Sequence, residues 1–255
     1  MSEPKGEEPI KKVEVAAQQA ARTESELPRV RRYRAVMFQG ALVLVAVAFG
    51  VLTFLVKTTP FFAFDLQITK SLQLVNAPSF ALLMNLISWP GFTPQSMIIA
   101  GLIILLIYVF GLHWEAVMAF IAVVFSTGIN LLVKDLIQRP RPTPDLVGVF
   151  ATLNSYSFPS GHVMYYLGFF GFIWFLAFSL LKPSLKRGFL LVVIGALVVL
   201  VGISRIYLGE HWASDVIGSY LLGTLTLVAI IQLYRWGKTR FFVHQPVAAA
   251  EHQQA

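Results

Sequence analysis

Three short polar clusters stand at the ends of long apolar segments of this chain. They read KDLIQRPRP (134–142), FPSGH (158–162) and SRIYLGEHWASD (204–215). Together they contain cations that can bind an anion, two imidazoles, and a carboxylate close to one of them. Charged groups at bilayer depth cost about 2.5–3.5 kcal/mol each at a helix centre and usually serve a function. Anion-binding cations with a nucleophile and a proton donor predict phosphoryl transfer.

The third cluster pairs an imidazole with a carboxylate. His211 and Asp215 are separated by one helical turn, so they share a face of the helix predicted to begin there. The carboxylate can fix the tautomer of the ring and stabilise the cation that forms when the other ring nitrogen attacks. Taken alone, the pair fits a simple helix cap equally well; the two other clusters favour catalysis.

The second cluster has the features of an anion site at a helix start. Ser160 suits an N-cap, and Gly161 lets a ligand approach the backbone closely. The first free N–H groups of a helix bind anions, and His162 would stand there, able to protonate a leaving oxygen. In isolation this motif more often marks an ordinary turn into a helix.

Basic side chains occur in the first and third clusters. Lys134, Arg141 and Arg205 are predicted to converge on one anion, because an arginine presents a planar fork to phosphate oxygens. For Arg139 the ordinary behaviour of a basic residue beside a membrane span is predicted instead. Its side chain should be exposed and should reach toward the interface.

Composition predicts an integral membrane protein. Of the 255 residues, 56% are hydrophobic and 13% are charged, whereas a soluble domain is about 25% charged. The formal net charge is +7, but the basic residues group in 29–34, 182–187 and 235–240. This pattern is typical of the cytoplasmic loops of a membrane protein and argues against nucleic-acid binding. The chain has no cysteine, which excludes a thiolate nucleophile.

The apolar segments predict an all-α polytopic protein whose six transmembrane helices include a core bundle. About 20 apolar residues cross a hydrocarbon core of ~30 Å. Segments of that kind lie near 36–56, 94–112, 116–136, 162–181, 188–206 and 213–235. The region 57–92 holds only a shorter apolar run, 80–88, between prolines. We expect an interfacial or re-entrant piece there, with a tilted extra span as the alternative.

The charge pattern orients the chain in the membrane. With six spans, the three clusters emerge on one face and the basic loops on the other. The positive-inside rule then puts the clusters on the extracytoplasmic face of the cell membrane and both termini in the cytoplasm. Three regions are predicted: a disordered tail at 1–30, a six-helix membrane domain at 31–240, and a disordered tail at 241–255.

A metal site is not indicated by the spacing of possible ligands. Of the five histidines, only His162 and His211 lie on the face of the three clusters. The acidic residues on that face lack any pairing typical of metal ligands; they are Asp65, Asp135, Asp145, Glu210 and Asp215. The sequence therefore predicts neither a metal nor another cofactor.

The three clusters resemble a known family signature when they are taken together. K-x6-RP (134–142), PSGH (159–162) and SR-x5-H-x3-D (204–215) are similar to the tripartite signature of the type 2 phosphatidic acid phosphatase superfamily. That family includes bacterial lipid phosphatases and shares its core with the vanadium haloperoxidases. The resemblance covers roughly residues 36–235.

The resemblance implies a role for each residue of the signature. His211 would be the nucleophile that forms a phosphohistidine, Asp215 would orient it, and His162 would protonate the leaving lipid alcohol. The residues that would hold the phosphate oxygens are Lys134, Arg141, Ser160, Gly161 and Arg205. The lipid phosphatases of the family need no metal.

The predicted function is hydrolysis of a lipid phosphate monoester or diphosphate. Phosphatidic acid, phosphatidylglycerophosphate, diacylglycerol diphosphate and undecaprenyl diphosphate all join a phosphate head to an apolar tail, and the motifs do not choose among them. Three alternatives stay open: transfer of the phosphoryl group to another lipid, a vanadate-dependent oxidase, and a transporter or channel that binds phosphate groups. A transporter would carry charges along a transmembrane path, whereas these charges lie near one face.

Overall fold

The computed structural model of the protein describes residues 7–242, and helices are its only regular secondary structure over that range. The apolar segments and the prolines between them account for this pattern of helices and breaks. The α-helices are α1 (Glu7–Thr58), α2 (Ala63–Gln73), α3 (Pro78–Ser88), α4 (Gln95–Val109), α5 (His113–Ile137), α6 (Gly161–Tyr165), α7 (Gly171–Leu180), α8 (Leu185–Tyr207) and α9 (Ala213–Gly237).

The predicted fold class is confirmed: among the described residues, five or six segments are long and apolar enough to cross a membrane. A π-helical turn, Tyr166–Phe170, joins α6 to α7, so that 161–180 forms one span. The sixth candidate is α3 together with α4, which are bent by 62° where residues 89–94 interrupt the helix. The apolar run 80–88, for which an interfacial or re-entrant piece is predicted, therefore lies within α3 and forms the first arm of this bent pair.

The predicted division into tails and membrane domain stays a prediction. The backbone is helical from Glu7, within the segment 1–30 for which disorder is predicted. Residues 1–6 and 243–255 lie outside the described part of the chain, and so does nearly all of the predicted C-terminal tail. The chain divides into two compact units between Val45 and Ala46, and the site described below belongs entirely to the second unit.

Close helix packing holds α5, α8 and α9 around the 161–180 span. Small residues permit this approach, as is usual where helices pack inside a membrane. A Cβ at Gly168 would fall 1.9 Å from Ser126 Oγ of α5, and one at Gly223 of α9 would fall 2.8 Å from Leu167. The helices that carry the polar clusters are therefore fixed relative to one another by a core in which Met118, Phe169, Phe172 and Val201 are fully buried.

The polar clusters meet because consecutive spans return the chain to the same end of the bundle. Gln138 ends α5 in the left-handed conformation, with φ of 56°, and its N–H donates to Lys134 O at 2.9 Å. The loop 138–160 then leads to α6. This loop is tied to the short connection between α8 and α9, since Phe150 N–H donates to Leu208 O at 3.1 Å.

The order of the spans predicts which loops face opposite sides of the membrane. Asp145 lies in the loop between α5 and α6, and Ser184 lies between α7 and α8; both are exposed. Single cysteines at these positions, in a chain that has none, are to be treated with a membrane-impermeant maleimide on intact cells. We expect labelling at 145 without permeabilisation and at 184 only after it. The reverse pattern would invert the orientation given by the basic loops.

Candidate active site

One cavity of about 820 Å³ collects the chemically capable residues of all three clusters. Its wall includes five of the eight residues singled out from the sequence: Lys134, Arg141, Gly161, His162 and His211. The other three, Ser160, Arg205 and Asp215, are fully buried and make hydrogen bonds or ion pairs with the segments that form the site. The structure therefore brings together every predicted site residue.

The helix α9 begins after His211, at Ala213, and Asp215 in its first turn faces the Nδ1 side of the His211 ring. The Nδ1 atom is 3.5 Å from Asp215 Oδ2 and 3.5 Å from Ser157 Oγ. Asp215 Oδ2 also accepts from the N–H of Trp212 at 2.9 Å and from the hydroxyl of Ser157. Asp215 is the third residue of α9, where a carboxylate is favoured by the free N–H groups of the helix start.

The opposite nitrogen of His211, Nε2, faces the cavity beside a cation. It lies 3.3 Å from Nη1 of Arg141. Burial lowers the pKa of the His211 ring well below its usual value, and the nearby charges of Arg141, Lys134 and Arg205 lower it further. The ring is therefore neutral at neutral pH. With a proton on Nδ1, toward Asp215, the Nε2 lone pair is available for attack.

His162 stands across the site at the first turn of α6. Its ring packs edge-on against Phe92, with centroids 4.6 Å apart. A Cβ at Gly91 would fall 2.3 Å from the His162 ring, so this position has room for glycine only while the ring stays where it is. The Nε2 atom is buried and has no hydrogen-bond partner among the described residues. Such an atom is available to a ligand in the cavity.

Two of the cations on the cavity wall are fixed by backbone oxygens of the loop 138–160. Lys134 Nζ donates to the carbonyl of Tyr156 and, at 3.5 Å, to that of Ser157. Arg141 donates from Nε to the carbonyl of Ser155 at 2.6 Å and from Nη2 to its hydroxyl at 2.9 Å. Burial lowers the pKa of Arg141 to about 10, so the guanidinium keeps its charge at neutral pH.

Arg205 is the most deeply buried of the three predicted anion-binding cations. Its Nη1 donates to Ser88 Oγ of α3 at 2.5 Å, and its guanidinium forms an ion pair with Glu210. The guanidinium carbon lies 5.1 Å from the centroid of the Phe92 ring. Its Nε has no hydrogen-bond partner in the part of the chain that the structure describes. Arg205 thereby links the arm formed by α3 to the end of α8.

The PSGH segment is held by residues that the sequence motif does not contain. The N–H of Ser160 donates to Ser219 Oγ of α9 at 2.6 Å. Asn130 of α5 donates to the carbonyl of Pro159 at 3.1 Å. A Cβ at Gly161 would fall 3.3 Å from Asn130 Oδ1, so glycine suits this close approach. The Ser160 hydroxyl is buried without a partner among the described residues.

The prediction for Arg139 is wrong: its side chain is fully buried and points into the protein. The guanidinium donates to the carbonyl of Pro60 at 3.0 Å, to Ser214 Oγ at 2.7 Å and to Asp215 Oδ1 at 2.6 Å. It also donates to Asp65 Oδ2 at 3.0 Å. Two carboxylates and two further oxygens thus compensate the charge, which makes burial more favourable than exposure at the interface.

Besides Arg139, four residues of the site were not identified as functional from the sequence. Asp65 had a weak signal, a lone carboxylate in an apolar segment on the face of the clusters. Glu210 was likewise considered only as a metal ligand. Ser157 and Asn130 had no signal, because a single serine or amide in or beside an apolar span is common and only the fold brings them to the site.

Much of the rest of the cavity wall is apolar, and its apolar side chains come mainly from α4 and α5. Met97 of α4 and Val123, Val124 and Leu131 of α5 line it. Met97, Val124 and Leu131 are also exposed on the outside of the protein. The cavity therefore reaches the outer surface between two membrane-spanning segments, and it joins a polar end to an apolar groove.

The described residues include no group of three or more histidine, cysteine, aspartate or glutamate side chains arranged to hold a metal ion. The two histidines of the site have other neighbours: Asp215 and Arg141 for His211, and Phe92 for His162.

Comparison with known proteins gives a family, two related sequences and a related solved structure. A family model described as the PAP2 superfamily matches residues 112–238, about half of the chain. Over 118 residues the chain is 37% identical to phosphatidylglycerophosphatase B of Bacillus subtilis (strain 168), covering 44% of this chain and 54% of that protein. It is 32% identical over 108 residues to an undecaprenyl-diphosphatase of Sulfolobus acidocaldarius, covering 42% and 43%.

A solved structure resembles most of the chain. It is the crystal structure of a transmembrane PAP2-type phosphatidylglycerolphosphate phosphatase from Bacillus subtilis, with a TM-score of 0.68 and 26% identity. The match covers 78% of this chain and 98% of that one. By sequence, the chain spans about half the length of the two relatives named above.

Proposed function

Because the chain belongs to the PAP2 superfamily, we propose that it is a membrane lipid phosphatase that hydrolyses a phosphate monoester or diphosphate. The observation that carries the proposal is the single cavity in which cations and two histidines adjoin an apolar groove. A lipid phosphate has the same division into a charged head and an apolar tail. The groove reaches the protein surface between α4 and α5, where a tail can remain in contact with the bilayer.

His211 is the proposed nucleophile. Its Nε2 attacks phosphorus, the bond from phosphorus to the leaving oxygen breaks, and the phosphoryl group becomes attached to the ring. The ring gains positive charge in this step, and the Asp215 carboxylate on the Nδ1 side stabilises it. A neutral ring before attack is favoured by the low pKa that burial gives His211.

His162 is the proposed general acid and base. It donates a proton to the leaving lipid oxygen as the bond to phosphorus breaks. It then takes a proton from the water that attacks the phosphohistidine, which releases phosphate and restores His211. The unpartnered Nε2 of His162, buried at the cavity wall, supports this assignment.

Charge on the phosphate oxygens is proposed to be stabilised by Lys134, Arg141, Arg205 and the start of α6. In phosphoryl transfer, positioning and electrostatic stabilisation do most of the catalysis. The Ser160 hydroxyl and Arg205 Nε are buried without partners among the described residues, so each can donate to a phosphate oxygen. Gly161 leaves the backbone of the helix start open to the ligand.

The reaction is proposed to need no metal, since a set of fixed cations already surrounds the phosphate position. We place the protein in the cytoplasmic membrane with its termini in the cytoplasm and its site on the extracytoplasmic face, from the distribution of basic loops. Substrates of the phosphatidylglycerophosphate and undecaprenyl diphosphate types are suggested by the names of the two relatives. Phosphatidic acid is a third substrate with the same chemistry.

Phosphate release from these lipids tests the proposal. Purified protein in detergent, dialysed against excess EDTA, should release phosphate from at least one of phosphatidic acid, phosphatidylglycerophosphate and undecaprenyl diphosphate, and vanadate should inhibit the release. His211→Ala is the control for contaminating phosphatases and should be inactive. Activity restored only by a divalent metal would overturn the metal-free mechanism. Phosphoryl loss only when a second lipid is added would indicate a phosphotransferase.

A bulky substitution in the apolar groove should slow the turnover of lipid substrates without affecting the phosphate chemistry itself. Gly128 of α5 lines the cavity, and a Cβ there meets nothing within 4 Å, so Gly128→Leu would place its side chain in the groove. We expect kcat/KM for a long-chain lipid phosphate to fall roughly tenfold or more through steric competition with the tail. Turnover of p-nitrophenyl phosphate should be almost unchanged.

Gly188→Leu is the matched control. Gly188 is also an exposed helical glycine with nothing within 4 Å of its Cβ position, but it lies near the start of α8, away from the cavity. It should leave both substrates unaffected. Equal losses on the two substrates in Gly128→Leu would show that the groove does not hold the tail.

A further inference from the structure

Arg139 lies between two aspartates that occupy equivalent places in two helices. Asp65 is the third residue of α2 and accepts from the N–H of Phe62 at 3.0 Å. Asp215 is the third residue of α9 and accepts from the N–H of Trp212 at 2.9 Å. The guanidinium of Arg139 contacts both carboxylates, one through each of its terminal nitrogens.

The contacts of Asp65 extend beyond Arg139 to the first turn of α9. Its Oδ1 accepts from the N–H of Ser214 at 2.8 Å, and its Oδ2 accepts from the Ser214 hydroxyl at 2.8 Å. The same hydroxyl accepts from Arg139 at 2.7 Å. Asp65 and Asp215 are both fully buried, and Arg139 is 1% exposed. The three charged groups are therefore shielded from water, and their charges are compensated by one another and by protein hydrogen bonds.

This arrangement fixes the carboxylate that faces the proposed nucleophile. Asp215 Oδ1 is held by Arg139, which leaves Oδ2 directed to the Nδ1 side of His211. The two carboxylates and the guanidinium together carry a net formal charge of −1 on the Nδ1 side of the ring, opposite Arg141 on the Nε2 side. A buried negative charge stabilises the positive charge that the ring gains on attack, because the surroundings screen it poorly.

We propose that Asp65 and Arg139 are positioning residues for catalysis, which act through Asp215 to set the rate at which His211 attacks. The inference rests on the proposed function of His211. It adds α2 to the catalytic machinery, although Asp65 lies outside the residues 112–238 that the family model matches. Neither residue lines the cavity, and the guanidinium of Arg139 is already taken up by protein oxygens, so no contact with substrate is assigned to either.

A double-mutant cycle separates this role from a contribution to folding. Asp65→Asn should lower kcat for phosphate release by about 10- to 100-fold, a range taken by analogy from the loss of a group that orients a metal-binding histidine. KM should stay within about twofold, because substrate contacts are intact. In an Asp215→Asn background, the same substitution should lower kcat by less than about twofold, since the residue through which it acts is already altered.

Glu115→Gln is the matched control for loss of a buried carboxylate. Glu115 is 1% exposed and accepts from Tyr234 at 3.0 Å, but it lies at the start of α5, away from the site. It should leave kcat unchanged even where the melting temperature in detergent falls. If Asp65→Asn does not fold, Arg139→Lys takes its place, because a single ammonium cannot reproduce the fork that reaches both carboxylates.

Equal fold-losses of kcat from Asp65→Asn in the wild-type and Asp215→Asn backgrounds would overturn the inference. A rise in KM without a fall in kcat would overturn it as well. Wild-type protein that releases no phosphate from any lipid would instead contradict the proposed function. The two failures are thereby distinguished in one set of assays.

Discussion

Compensation of buried charge at one end of the helical bundle is the constraint on which the rest of the site depends. Arg139 is shared by Asp65 and Asp215, and Arg205 is paired with Glu210, all of them almost fully buried. Removing one member of such a group would leave an uncompensated charge, at a cost of about 3–5 kcal/mol. Arg139 thereby joins the starts of α2 and α9, and Arg205 joins the end of α8 to the loop that leads to α9, so the segments around His211 are held in place.

Two arginines close together in sequence, Arg139 and Arg141, have different environments at this end of the bundle. Arg139 is surrounded by protein oxygens and has no access to the cavity, whereas Arg141 lies on the cavity wall with a nitrogen 3.3 Å from His211 Nε2. Only two positions separate them in sequence. The proline between them and the left-handed Gln138 before them turn successive side chains in different directions. Arg139 thus stabilises the packing of the helix starts, and Arg141 is available to bind a phosphate oxygen.

Much of the fold and of the site could be predicted from the sequence, for physical reasons that apply to particular residues. Apolar segments of membrane-spanning length require helices, and alternating spans require that clusters at their ends share a face. These two constraints alone predict that Lys134, His162 and His211 lie at the same end of the bundle. The burial of Arg139 could not be predicted, because its partner Asp65 is distant in sequence and belongs to a helix too short to span. Pro90 and Pro94 predict a break between α3 and α4, but not the 62° angle at which α3 packs on α8 and α4 on α5.

Identification of the phosphorylated residue tests the central claim most directly. Protein is mixed with radiolabelled p-nitrophenyl phosphate, quenched in alkaline detergent to preserve a phosphohistidine, and digested for peptide mapping. The account predicts label on His211, none in His211→Ala, and accumulation in His162→Ala, since this leaving group needs no proton and hydrolysis then lacks its base. Label on His162, or sustained turnover by His211→Ala, would contradict it.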